Sequence, residues 1–183
     1  MACIGKIATT LAMPCGAPAR ADLSRPVSAK IINASDIASF TVVEATGFAT
    51  ITRVPTKVGY DITTKNNSLV VTVGLKSQDI TPGAYDVEIT FKSFGGSPTL
   101  SSHGAPLGVV GVAARAELII AVDHGDLIRV YGLGAPLVCT EMSGDSSASA
   151  YVTYTYGVED WQVGTTIHAL SREGYDALSI PAA

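Results

Sequence analysis

The segment Tyr85-Asp86-Val87-Glu88-Ile89-Thr90-Phe91-Lys92 alternates without a fault, apolar at odd positions and polar at even ones. Successive side chains of a strand point to opposite faces, so the octet makes a strand with one apolar and one wet face. The same period recurs where Tyr60 and Ile62 alternate with Asp61 and Thr63, and where Leu69, Val71, Val73 and Leu75 share one face. Lys65-Asn66-Asn67-Ser68 lies between these two runs, and Asn tolerates the left-handed backbone of a tight turn, so a hairpin is expected there. Residues 150–158 alternate again, Val152, Tyr154 and Tyr156 against Tyr151, Thr153 and Thr155. These tyrosines read as those of a strand buried in an interface.

Residues 27–32 read as a first strand and 33–36 as a turn, and 39–54 as a long β-rich stretch kinked at Gly47. Residues 117–122 and 127–131 flank the turn Asp123-His124-Gly125-Asp126. Residues 107–115 give the first helical pattern, weakened by Gly108 and Gly111, and residues 165–178 leave room for a short helical turn before Pro181. The expected fold is mainly β: an antiparallel β-barrel or sandwich of nine or so strands with one short helix. An extended N-terminal arm (1–25) precedes a single β domain (26–183).

Such a chain has too little charge for its size. Only 15% of the residues are charged and 47% are hydrophobic, with a mean hydropathy of +0.33, whereas soluble domains carry roughly 25% charged residues. Much of the outer surface is therefore expected to be covered, most simply by other copies of the chain. A net charge of −4 with scattered Lys and Arg argues against a surface built to grip phosphates. No segment approaches the ~20 apolar residues of a membrane span. Residues 7–13 are a poor secretion signal, short and broken by Thr9 and Thr10, and Pro14 before Cys15 spoils a lipoprotein box.

Motifs for chemistry are sparse. Gly132-Leu133-Gly134 lacks the third glycine and the following helix of a phosphate loop. His103, His124 and His168 are far apart, and His124 with Asp123 and Asp126 fits a turn better than an acid–base cluster. Cys3, Cys15 and Cys139 form no CxxC pair, so free thiols are expected and no metal or cofactor. Glu159 and Asp160 are adjacent, so on a strand they point apart and cannot face each other across a cleft. No serine sits in a nucleophile elbow. An enzyme is not expected.

Several strings carry a family likeness. Met1-Ala2-Cys3 and Pro14-Cys15-Gly16 lead into a strand ending Ile31-Ile32-Asn33, with Asp36-Ile37 after it. A short helical pattern precedes a hairpin running from Leu118 to Gly132-Leu133, followed by Ser143-Gly144-Asp145 and the strand Tyr151 to Tyr156. In this order of elements the chain resembles tail tube proteins of long-tailed phages infecting Bacteroidetes-type hosts. It departs from them in lacking a Gly/Arg string between the first two cysteines and in its glycine-broken helix.

The resemblance implies a structural virion protein, assembled in the host cytoplasm: six copies per ring, rings stacked into a tube, inner strands closing a continuous barrel. Its partners would be itself, other tail proteins and double-stranded DNA passing without specific binding. Residues 58–92 would hold the lumen or inter-ring strands, with Asp61, Thr63, Thr72, Asp86, Glu88 and Lys92 as the wall. Tyr85, Val87, Ile89 and Phe91 would be the subunit-packing face, so Ile89→Lys is expected to stop polymer formation. The rival readings are a fimbrial or Ig-like adhesive module and a capsid decoration or tail-completion protein.

Overall fold

Among the described residues eleven strands and one short α-helix follow in chain order. The computed structural model describes residues 26–62, 68–75, 85–94, 116–144, 151–158 and 164–181. The strands are β1 (Ser28–Asn33), β2 (Ile37–Val43), β3 (Phe48–Arg53), β4 (Tyr60–Asp61), β5 (Val70–Leu75), β6 (Tyr85–Phe94), β7 (Leu118–Asp123), β8 (Ile128–Tyr131), β9 (Leu137–Gly144), β10 (Tyr151–Val158) and β11 (Ile167–Leu170). The helix α1 (Arg172–Ala177) follows β11. The chain is thus mainly β with one short helix, as its periodicities predict. The described helix lies in the C-terminal tail, whereas the pattern at 107–115 falls outside the described residues.

All the strands join one sheet in the order β2-β3-β11-β8-β7-β9-β10-β6-β5, with β1 paired to β7 and to β4. Every strand pair is antiparallel except β11 with β3. Among the described residues the sheet curls but does not close. Its two arms meet at one bridge, where Tyr85 and Thr165 exchange backbone hydrogen bonds of 2.8 and 2.9 Å. The architecture is therefore a curled sandwich, and β2 and β5 are left at the ends of the strand path.

β7 explains the layering. Its sequence LIIAVD does not alternate, and every residue is buried. Such a strand must be covered on both faces. Leu118, Ile120 and Val122 face a cluster with Val87, Ile89, Phe91, Tyr131, Leu137, Tyr154 and Tyr156. Ile119 and Ala121 face a second cluster with Ile32, Ile128, Val130, Leu170, Tyr175 and Leu178. The first core is closed by β5, β6, β9 and β10, and the second is capped by α1.

The octet behaves as its period demands. Val87, Ile89 and Phe91 are 1%, 0% and 4% exposed, and each is a side chain whose burial is worth about 1.5–3 kcal/mol. The ring of Phe91 stacks 5.5 Å from Tyr154 and 5.9 Å from Tyr156. This corrects two expectations. Val87, Ile89 and Phe91 pack the chain's own interior, not a neighbouring subunit, and Tyr154 and Tyr156 belong to the same core. Tyr85 lies half-buried against it.

Other differences have local causes. The stretch 39–54 is a hairpin, not a kinked strand: Val43 pairs with Phe48, and Gly47 closes the loop at φ +70°. Among the described residues β4 and β5 do not pair as the expected hairpin would require, and the turn 65–67 lies outside them. β4 pairs with β1 while β5 pairs with β6, so tertiary partners outbid the local turn signal. β9 and β11 were not expected at all. β9 carries a bulge beside Thr155 and Tyr156, which breaks its alternation.

One turn is strained. Lys57 N donates to Val54 O at 3.1 Å across Pro55-Thr56, and Thr56 sits at φ +68°, a position that favours Gly. Thr56→Gly is expected to raise stability by about 0.5–1 kcal/mol, after allowing for glycine's added unfolded-state entropy. A thermal melt checks this, and an unchanged or lower Tm would contradict the strain argument.

Candidate functional site

The wet face of β6 is one strip of a broader polar wall. Thr72 lies opposite Glu88 and Gly74 opposite Asp86, while Gly157 lies opposite Glu88 and Thr153 opposite Lys92. Thr90 and Thr155 bring their hydroxyls to 3.2 Å. Thr140, the bulge residue of β9, donates to Thr155 O at 3.2 Å. Thr72, Asp86, Glu88, Lys92, Thr140 and Glu141 are exposed.

Among the described residues three carboxylates (Asp86, Glu88, Glu141) share this wall with one ammonium (Lys92), a mildly acidic balance. The absence of side chains at Gly74 and Gly157 leaves a shallow trough of about 330 Å³ beside Thr72, Asp86, Glu88 and Thr140. Threonines and alternating carboxylates here can hydrogen-bond water and weakly repel phosphate.

Of the residues expected to share this wall, Thr72, Asp86, Glu88 and Lys92 do so, and Thr63 lies outside the described residues. Asp61 does not. It sits on β4 beside β1, and its carboxylate accepts a 2.7 Å hydrogen bond from Lys30 Nζ. Strand pairing, invisible to local periodicity, separates it from β5 and β6.

Asp61 belongs to a second polar cluster that fastens the C-terminal helix. Lys30 also donates to Ser179 and lies 5.0 Å from the centre of the Tyr175 ring. Tyr175 Oη and Ser28 Oγ are 2.9 Å apart. Arg172 grips Asp123 with two hydrogen bonds of 2.5 and 3.0 Å and donates to Gly125 O. Ser171 caps α1, its hydroxyl accepting from Gly174 N at 3.0 Å.

The turn 123–126 is therefore structural. Gly125 takes φ +91° and donates to Asp123 Oδ1 at 2.7 Å, and His124 is buried. Burial pushes the Asp123 carboxyl up, but hydrogen bonds from Arg172 and Gly125 and the charges of Arg172 and His124 outweigh it and hold it below the ordinary value. A carboxyl depressed in the folded state stabilises the fold above its unfolded pKa, and this is lost as pH falls through the folded value. Stability is expected to fall on acidification below about pH 4, and Asp123→Asn should flatten that limb while costing about 1 kcal/mol near neutrality. Parallel acid limbs for the two chains, in melts from pH 7 to 2, would contradict this.

The Cys139 thiol is half-buried, and burial pushes its pKa up, which disfavours thiolate chemistry. Cys3, Cys15, His103 and the segment with Glu159, Asp160 and Trp161 lie outside the described residues. Among the described residues no group of three or more His, Cys, Asp or Glu is placed to hold a metal ion, and no helix is long and apolar enough to cross a membrane.

The surface also carries apolar residues that no core claims. Phe40 and Val43 on β2, Phe48 on β3, and Val70 and Val73 on β5 are 39–54% exposed. A sequence reading could have found β5 as an edge only by knowing its partner. Comparison of the chain with protein-family models, curated proteins and solved structures found no match.

Proposed function

We propose that the chain is a self-assembling structural protein, the major tail tube subunit of a long-tailed phage, whose polar wall faces a lumen that conducts DNA. The observation that carries the reading is the wall across β5, β6, β10 and β9, built of threonines, glycines and a mild excess of carboxylates. Tight passage of DNA is compatible with such a wall because it offers few cations to displace counterions from phosphates. The charge-poor composition, the exposed apolar residues on β2 and β5, and the resemblance in element order support repetition of the chain with itself.

Negative-stain electron microscopy of the tag-free protein at high concentration tests the proposal. Rings or hollow tubes with a regular axial repeat are the expected result. Solid fibres would favour the adhesive-module reading, in which a neighbour adds a strand to the open sheet edge. Dispersed particles would favour a capsid decoration or tail-completion protein.

A further inference from the structure

Among the described residues, no strand pairs with the outer edge of either end of the strand path. β2 reads IASFTVV and β5 reads VVTVGL, without a charge or a proline, the devices that usually keep sheet edges from pairing. The edge of each is a row of backbone donors and acceptors that another strand satisfies. Each copy offers one edge of either kind, so a second copy is the partner whose supply matches the demand, by a head-to-tail contact.

The side chains fix the direction. On β5, Val71 packs toward the first core, so Val73 shares that face while Val70 lies on the other. On β2, Val42 packs toward the second core, so Phe40 lies on its face and Val43 on the opposite one. The sheet is continuous between these strands, so its two faces are common to both. Each edge therefore carries two exposed apolar residues three positions apart, one per face.

Paired strand neighbours point to the same side. A parallel alignment satisfies both faces at once, setting Phe40 beside Val70 and Val43 beside Val73. An antiparallel alignment that brings Val43 to Val73 sets Phe40 beyond the end of β5, so it matches one pair only. We infer that β2 of one copy pairs in parallel with β5 of the next, residues 40–43 against 70–73. This deepens the self-assembly reading and rests on it.

Val43→Lys and Val73→Lys each block one edge at an exposed site. In analytical ultracentrifugation, with the wild type assembling, each variant alone is expected to be monomeric. A 1:1 mixture is expected to stop at dimers, since only one good β2 and one good β5 edge remain. Dimers of Val43→Lys alone would mean β5 pairing with β5 and would overturn the inference, as would wild-type-sized assemblies from either variant or a wild type that stays monomeric.

Should either lysine variant lose its wild-type melt, cysteine trapping replaces it. With Cys3, Cys15 and Cys139 changed to Ser, Val43→Cys and Val73→Cys chains are mixed under mild oxidation. A disulfide joining positions 43 and 73 of different chains is expected, since neighbouring strands lie within its reach, and its absence would overturn the pairing. The two readings fail separately. Solid fibres with the dimer result intact would sink the tube and keep the pairing, and hollow tubes from both lysine variants would do the reverse.

Discussion

Ile89→Lys is expected to leave the isolated chain without a cooperative melt. Ile89 is 0% exposed, opposite Tyr156 on β10 and Val71 on β5, at the centre of the first core. An ammonium placed there has no carboxylate among its strand partners. An unpaired buried charge costs several kcal/mol, and losing a well-packed Ile adds about 2–5 kcal/mol. Together these rival the ~5–15 kcal/mol that holds a typical domain folded. The neighbouring change Glu88→Lys, on the exposed face of the same strand, is expected to stay within about 0.5 kcal/mol of the wild type. Far-UV circular dichroism during heating of both variants makes the comparison. Polymer loss in Ile89→Lys would then follow from unfolding and would not report on a contact between subunits. A folded Ile89→Lys monomer that fails to assemble would return the odd face of β6 to an interface and contradict the packing described above.

Arg53→Ala is expected to cost about 2–3 kcal/mol and to loosen the C-terminal helix first. The last carbonyls of a helix have no partner within it, and a six-residue helix is too short to persist by itself. Arg53 supplies those partners from β3. Its Nη1 donates to Lys57 O and Leu178 O at 2.9 and 3.0 Å, and its Nη2 to Ala177 O and Ile180 O at 3.0 and 2.6 Å. A planar fork reaches four carbonyls in a way that one ammonium does not, so Arg53→Lys should recover only a minor part. Hydrogen exchange at Leu178 and Ile180, whose amides close the last turn, should speed up more than exchange in β7. Equal acceleration in both, or none, would show that the helix is held by its apolar contacts with Ile32 and Leu170 alone.

Much of the β content was legible because strands with one wet face write their period into the sequence. β6 and β10 are the clear cases, with every second residue committed to the core and the others free to be polar. The 118–131 hairpin was legible through its turn chemistry, since Asp123 and Gly125 do locally what their side chains allow. β9 escaped because its bulge shifts the alternation by one residue at Thr140. β4 was placed against the wrong neighbour, since an Asn-rich turn between two alternating runs implies a hairpin only when no better partner competes. The wall was half legible: Thr72, Asp86, Glu88 and Lys92 meet as their parity demands, while Asp61 is carried off by β1 and Lys30.

The sequence by itself determined which residues of the alternating strands β6 and β10 turn inward, because that choice depends only on the two-residue period and the cost of burying polar atoms. Only the tertiary structure decided what each inward face meets. Whether Ile89 and Phe91 pack against a sister subunit or against Tyr154 and Tyr156 of the same chain depends on long-range strand order, as do the edge positions of β2 and β5 and the clamp of Arg53 on a helix more than a hundred residues away. Backbone hydrogen bonding is the same for every strand pair, so local sequence carries little information about which strand becomes the neighbour. The order is chosen when two faces of β7 must both be covered and the whole chain competes to cover them.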